Sequence, residues 1–182
     1  ENCYNNPEYT SKSDKLVSLT KEMNKKLKGS ITYKFGKQVV VLDKNTYSSW
    51  LKTKKDYSGY KVDKNAMENW LLKFMYKYNT QYGWHKFKTH DGRTKKIYGG
   101  PYGWRISKDK EMASVKKMLK EGTTETREPY WREKAKVYDG VNGDIGDTYV
   151  EVDMGAQTVY YYKKGKLKFA TACVTGKLTA DR

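Results

Sequence analysis

The side chains able to carry covalent, redox or metal chemistry are few: two cysteines, Cys3 and Cys173, and two histidines, His85 and His90. Cys173 stands in KLKFATACVTGK. A nucleophilic thiol needs an imidazole, a cation or a helix N-terminus to stabilise its thiolate. A run of Phe, Ala, Thr and Val supplies none of these locally, so Cys173 reads as strand filler. The two cysteines form neither a C-x-x-C pair nor a disulfide framework. Whether Cys3 and Cys173 meet is a question of geometry that spacing leaves open. The histidines flank KFKT on what reads as a strand and its turn, away from either cysteine, and metal-site spacing is absent. Both read as structural or surface residues. The sequence contains no G-x-S-x-G, Walker A or H-E-x-x-H pattern. GGPYGW lacks the order of a dinucleotide loop and runs into a strand. No catalytic residue, metal ligand or cofactor is therefore expected within the chain.

What remains is binding chemistry. The 182 residues include 17 Tyr and 5 Trp, rings that bury area while keeping a polar edge wet. Trp84, Tyr98, Tyr102, Trp104 and Arg105 border a glycine-flexed turn and form the candidate set for stacking on sugar rings. Core packing is the competing reading for at least half of them. The net charge is +16, yet residues 139–182 hold six acids and six bases, so the whole excess sits on residues 1–138. A field of that sign attracts polyanions, either nucleic acid or the anionic polymers of a bacterial wall. A solubilising role for the lysines on a tyrosine-rich surface is the alternative.

These residues need elements to hold them. SDKLVSLTKEMNKKLKG repeats apolar residues at helical spacing through Leu16, Leu19, Met23 and Leu27, with Ser13 or Asp14 as cap and Gly29 as stop. ITYKFGKQVVVL changes to strand composition broken by Gly36, which predicts a hairpin. Asp43 caps a short helix that buries Tyr47, Trp50 and Leu51. The strongest helix is VDKNAMENWLLKFMYKYN, capped by Asp63, with Met67, Trp70, Leu71, Phe74, Met75 and Tyr78 on one face and a Val62–Met67 staple. Asp91-Gly92 marks a hairpin, and Gly99, Gly100 and Gly103 permit turns. Ser107 caps KDKEMASVKKMLKEG, predicted to turn Met112, Val115 and Leu119 inward, with early acids, late lysines and Gly122 as stop. A polar turn follows, and PYWREKAKVY reads as one more strand.

Helices and strands without a β-α-β rhythm predict an α+β fold. The sequence divides into an N-terminal helical segment (1–29), a mixed helix and antiparallel-strand domain (30–138), a Gly, Asp and Asn-rich linker (139–147) and a β meander (148–182). Three strands cannot bury both their faces. The meander is therefore expected to open a larger, truncated β-rich domain.

FKTHDGRTKKIYGGPYGWRISKDKE, preceded by the VD helix and followed by REPYW, resembles the peptidoglycan-binding domain that precedes the catalytic domain of Gram-positive L,D-transpeptidases. The resemblance covers roughly residues 30–138. YVEVDMGAQTVYYYKKGKLKFATACVTGK is similar to the first strands of the ErfK/YkuD-type catalytic domain of the same enzymes. In that family a cysteine within S-H-G-C attacks a stem-peptide carbonyl, forms a thioester and passes the acyl group to a neighbouring amine. That motif is absent here, and Cys173 falls on an early strand where an apolar residue is usual. The resemblance thus implies the N-terminal part of a secreted L,D-transpeptidase, inactive alone, supplying a wall-binding or substrate-presenting module. Its implied partners are peptidoglycan and anionic wall polymers, and its implied place is the cell wall or cell surface.

No stretch approaches the roughly 18 apolar residues of a membrane span. The start at Glu1 shows neither initiator Met nor signal pattern, so the chain is expected to be mature or trimmed, with any anchor outside it. Two other readings stand beside this one: a rigid spacer without strong ligand binding, and a basic single-stranded nucleic-acid module. The last lacks an RNP, KH or helix-turn-helix signature.

Overall fold

The computed structural model describes residues 9–176. Along the chain run α1 (Asp14–Lys26), β1 (Ser30–Phe35), β2 (Gln38–Leu42), α2 (Lys44–Tyr47), a 3-10 turn (Ser48–Trp50), β3 (Leu51–Thr53) and β4 (Tyr60–Val62). Then follow α3 (Lys64–Tyr78), β5 (Trp84–Lys88), β6 (Thr94–Tyr98), β7 (Arg105–Ile106), α4 (Lys108–Glu121), β8 (Thr124–Arg127) and β9 (Trp131–Glu133). The meander is β10 (Tyr149–Asp153), β11 (Thr158–Lys163) and β12 (Lys166–Ala172). The fold is α+β, as the irregular alternation of helix and strand patterns predicts.

By contacts the chain forms two compact units, Glu1–Lys77 with Ile106–Tyr130, and Tyr78–Arg105 with Trp131–Arg182. In the first, β1 is the centre of a three-stranded sheet in the order β2-β1-β8. The β1–β2 hairpin turns at Gly36, whose φ of 52° suits glycine. β8 lies parallel to β1, with Ser30 opposite Thr124 and Tyr33 opposite Arg127. The sequence there, GTTETRE, reads as a polar turn because nothing in it alternates apolar and polar residues. It is a strand because β1 offers it a free edge, and its side chains find ionic partners instead of a core.

The core of this unit is aromatic. Ile31, Tyr33 and Phe35 from β1 and Leu42 from β2 are buried. They meet the α3 face of Met67, Leu71 and Phe74, with the Tyr33 and Phe74 rings 4.7 Å apart. Trp70 stacks on Phe74 at 5.3 Å and faces Trp50 at 6.1 Å. The predicted caps Asp43 and Asp63 accept hydrogen bonds from Asn45 N (3.0 Å) and Ala66 N (3.0 Å). Ser13 and Ser107 occupy N-cap positions without capping through their side chains. α4 ends where predicted, at Gly122, whose left-handed backbone sends its N–H to Met118 O. Its inward face differs from the prediction: Glu111, Val115, Met118 and Leu119 are buried, and Met112 is half-buried.

The second unit is built from two antiparallel sheets. β5 and β6 pair from Trp84↔Tyr98 to Lys88↔Thr94, closing through Gly92 at φ 81°. β10, β11 and β12 form the predicted meander. One face of the hairpin meets one face of the meander, with Phe87 edge-on to Tyr149 at 5.1 Å. The opposite face of the meander carries Val150, Val152 and Phe169, all exposed. PYWREKAKVY, predicted as a strand, contributes only the three residues of β9. Residues 139–147 are folded into this unit: Asp144 is buried and accepts a hydrogen bond from the Thr80 hydroxyl.

Candidate functional site

Strand alternation decides which way the hairpin side chains face. Along β5, His85 and Phe87 are buried while Trp84, Lys86 and Lys88 are exposed. Cross-strand register places Trp84 directly opposite Tyr98, with ring centroids 5.5 Å apart and planes inclined by 54°. Both rings remain open to solvent, Trp84 at 65% and Tyr98 at 56%. A cleft of about 530 Å³ is lined by Trp84, Lys86, Lys88, Thr94, Asn142 and Gly143 among others, and Tyr98 reaches it only through its contact with Trp84. Two exposed rings beside a polar, lysine-bearing cleft can take the apolar face of a sugar while its hydroxyls meet hydrogen-bonding groups.

The other three candidate residues lie elsewhere on the unit and do different things. Trp104 is half-buried, and its indole N–H donates to Val137 O at 2.6 Å. Its ring meets Trp131 edge-on at 4.9 Å and Tyr138 at 5.8 Å. The Tyr102 hydroxyl donates to Asp144 O at 3.2 Å and accepts from Lys136 N at 3.0 Å. These two rings pack the 131–147 segment against the 78–105 segment within the unit. Arg105 is half-buried at the start of β7. Within the aromatic cluster the Tyr138 hydroxyl donates to Tyr78 O at 2.9 Å. Burial, then the negative charge of Asp144, pushes its pKa well above the usual tyrosine value.

Glycine makes this packing possible at two points. Gly103 has φ 147°, and a Cβ there would lie 2.5 Å from Gln81 N. At Gly99 a Cβ would lie 2.5 Å from His85 Nε2. His85 is thus wedged under the turn, with Nε2 buried and without a hydrogen-bond partner in the described structure. His90 binds outward from the hairpin end: its N–H and its Nδ1 both meet the Glu151 carboxylate, the latter at 2.9 Å. Its ring stacks on Tyr160 at 4.0 Å, and Nε2 lies 3.8 Å from Asp153 Oδ2. Both histidines are structural in position, one as a wedge and one as a clasp between hairpin and meander. Cys173 is half-buried one residue past β12, with its N–H on Gln157 O at 2.8 Å. Cys3, and with it a Cys3–Cys173 bridge, lies outside the described residues. Among the described residues no group of three His, Cys, Asp or Glu could hold a metal ion.

In the first unit the structure assembles a polar cluster that the sequence does not announce. Glu111, fully buried, receives Arg127 Nη1 at 2.7 Å and Nη2 at 3.0 Å, the Tyr33 hydroxyl at 2.9 Å and Tyr130 N at 2.5 Å. Arg127 also donates to Glu125 at 2.8 Å and to Ser114 Oγ at 2.8 Å, and lies over the Tyr130 ring at 4.2 Å. Burial, then the adjacent Glu111 charge and hydrogen bond, raises the Tyr33 pKa far above its usual value. For Arg127, burial works against the cation, but the hydrogen bonds to Glu111 and Glu125 and the charge of Glu111 outweigh it and push the pKa up. From sequence, Glu111 reads as an ordinary acid in a first helical turn. The signal that could have exposed it is its place one turn before Val115 on the apolar face.

Residues 9–127 match the family described as "Putative peptidoglycan binding domain", and the chain belongs to that family. Two solved structures share its fold. One is the Ldtfm–avibactam carbamoyl enzyme, at TM-score 0.65 and 27% identity over 90% of this chain and 62% of that one. The other is a cysteine-to-serine mutant of the Enterococcus faecium L,D-transpeptidase, at TM-score 0.65 and 27% identity over 88% of this chain and 63% of that one. The chain therefore has an L,D-transpeptidase-like fold and spans less than two thirds of the length of either structure. Comparison with curated proteins returned no match. No helix among the described residues is long and apolar enough to cross a membrane.

Proposed function

We propose that the chain is the wall-binding or substrate-presenting part of a secreted L,D-transpeptidase that cross-links peptidoglycan stem peptides, acting at the cell wall or cell surface. In this reading residues 30–138 are the binding domain, 139–147 connect it, and 148–182 are the first strands of the catalytic domain. Cys173, outside any S-H-G-C motif, then takes no part in the chemistry. The exposed apolar face of the meander at Val150, Val152 and Phe169 supports the assignment of 148–182, because such a face is the inner surface of a larger β structure.

The observation that carries the binding role is the exposed Trp84–Tyr98 pair beside its cleft, in a chain whose family is named for peptidoglycan. Tyr102 and Trp104 serve packing, so the glycan platform narrows to Trp84 and Tyr98. A pull-down of the full chain on purified peptidoglycan tests it. The Trp84→Ala/Tyr98→Ala variant should lose roughly tenfold in binding while keeping its fold, since both side chains are largely solvated. Equal binding by parent and variant removes the platform. A parent chain that does not bind sacculi at all supports the rigid-spacer reading, which the packing roles of Tyr102 and Trp104 favour. Preference for single-stranded DNA over peptidoglycan at physiological salt overturns the wall reading.

A further inference from the structure

The first unit holds a cleft of its own, lined only by residues of that unit. Its volume is about 310 Å³. The floor is apolar: Tyr60 and Val62 of β4, Met67 of α3 and Leu119 of α4. The rim is four lysines, Lys26 at the end of α1, Lys64 at the start of α3, and Lys116 and Lys120 on α4. Lys64, Lys116 and Lys120 are exposed, and Lys26 is held in place by donating its ammonium to Lys120 O. None of the residues lining the cleft is acidic. Acids stand outside the lining: Asp63 caps α3, Glu68 is paired with Lys108 at 2.5 Å and also feels the charge of Lys116, and Glu22 lies close enough to act on Tyr60. Four lysines and no acid line this one cleft, so its rim carries an excess of positive charge that favours an anion.

We infer that this cleft binds a phosphodiester-linked wall polymer, with phosphates on the lysine rim and the carbon linker on the apolar floor. This rests on the wall-binding reading above and assigns it a second, chemically distinct ligand. The choice of phosphate follows from the rim. Lysine binds a phosphate as a compact point charge, without the bidentate alignment that arginine demands, and separated point charges around an apolar floor suit phosphates joined by short carbon linkers. All four rim residues are lysine. The floor, with a single aromatic ring, offers CH2 groups a dry surface and no succession of platforms for bases, so a nucleic acid does not fit it.

The test is titration of the full chain with a short poly(glycerol phosphate) at several salt concentrations. The parent should bind with a steep salt dependence, and Lys116→Glu/Lys120→Glu should weaken binding roughly tenfold or more and flatten the salt slope by about two. Lys34→Glu/Lys37→Glu, an equal charge change on exposed β1–β2 positions outside the cleft, should leave the affinity within about twofold. Equal weakening by both pairs reduces the effect to net charge and overturns the cleft, as does unchanged affinity in the first pair. Tighter binding of a single-stranded DNA of matched charge overturns the wall polymer as occupant. Binding to peptidoglycan stripped of phosphate polymers separates the two readings: the Lys116→Glu/Lys120→Glu variant should retain it, whereas failure of the parent there removes the peptidoglycan reading and leaves the cleft result standing.

Discussion

Replacing Glu111 by Gln changes one oxygen to an amide and should still cost this protein a large part of its first unit's stability. Glu111 is fully buried and accepts four hydrogen bonds, from both Arg127 terminal nitrogens, the Tyr33 hydroxyl and Tyr130 N. Gln keeps one acceptor and turns its NH2 toward donors, so at least two donors lose their partner. The Arg127 side chain is only 14% exposed, so water does little to screen the cation left behind. Removing one member of a buried ion pair costs about 3–5 kcal/mol. Glu125, 2.8 Å from Arg127 Nε, still compensates part of the charge and places the expectation at the lower end, about 3 kcal/mol. Urea unfolding followed by tryptophan fluorescence, to which Trp50 and Trp70 in that unit contribute, should show the midpoint falling by about 1.5 M at a slope of about 2 kcal/mol/M. The Glu111→Leu/Arg127→Met double variant, which removes both charges, should cost much less than Glu111→Gln. A Glu111→Gln midpoint within about 0.3 M of the parent, or a double variant at least as damaged as the single, refutes the account of a mutually dependent buried pair.

Two further outcomes follow from the geometry. Gly103→Ala should lower stability by about 2–3 kcal/mol, because its Cβ meets Gln81 backbone at a φ that side chains avoid, while Gly92→Ala, with open space around it, should cost about 1 kcal/mol; paired thermal melts decide between them. Tyr33 and Tyr138 both have pKa values raised above the ordinary 10.0, so their neutral forms stabilise the fold below that pH, and the contribution is lost as the unfolded chain begins to ionise above it. Urea midpoints should accordingly fall above pH 10, and fall less steeply in Tyr138→Phe; an unchanged slope in that variant assigns the alkaline loss to other groups.

Much of the fold is legible in the sequence where periodicity and burial agree. The α3 stripe, the Asp43 and Asp63 caps, the Asp91-Gly92 hairpin and the three-strand meander all arise from local patterns that tertiary packing then reinforces. β8 is not legible, because a polar tetrapeptide becomes a strand only when a neighbour's open edge satisfies its backbone. The α4 face is legible at Val115 and Leu119 but not at Glu111: a buried glutamate among apolar positions contradicts hydropathy until its arginine is in place. Of the five aromatic and basic candidates, strand alternation fixes Trp84 and Tyr98 outward, but the packing duties of Tyr102 and Trp104 depend on residues 136–144, far along the chain.

The sequence by itself determined the class of fold, the family resemblance, the concentration of positive charge in residues 1–138 and the poverty of covalent chemistry around Cys173. These are properties of composition and short-range order, and they survive without knowledge of any contact. Only the tertiary structure decided which rings face solvent, which lysines gather around one cleft, and that Glu111 and Arg127 neutralise each other in the core. Those facts depend on distances between residues widely separated in the chain. Burial and Coulomb energy act through space, so spacing in the sequence cannot encode them directly.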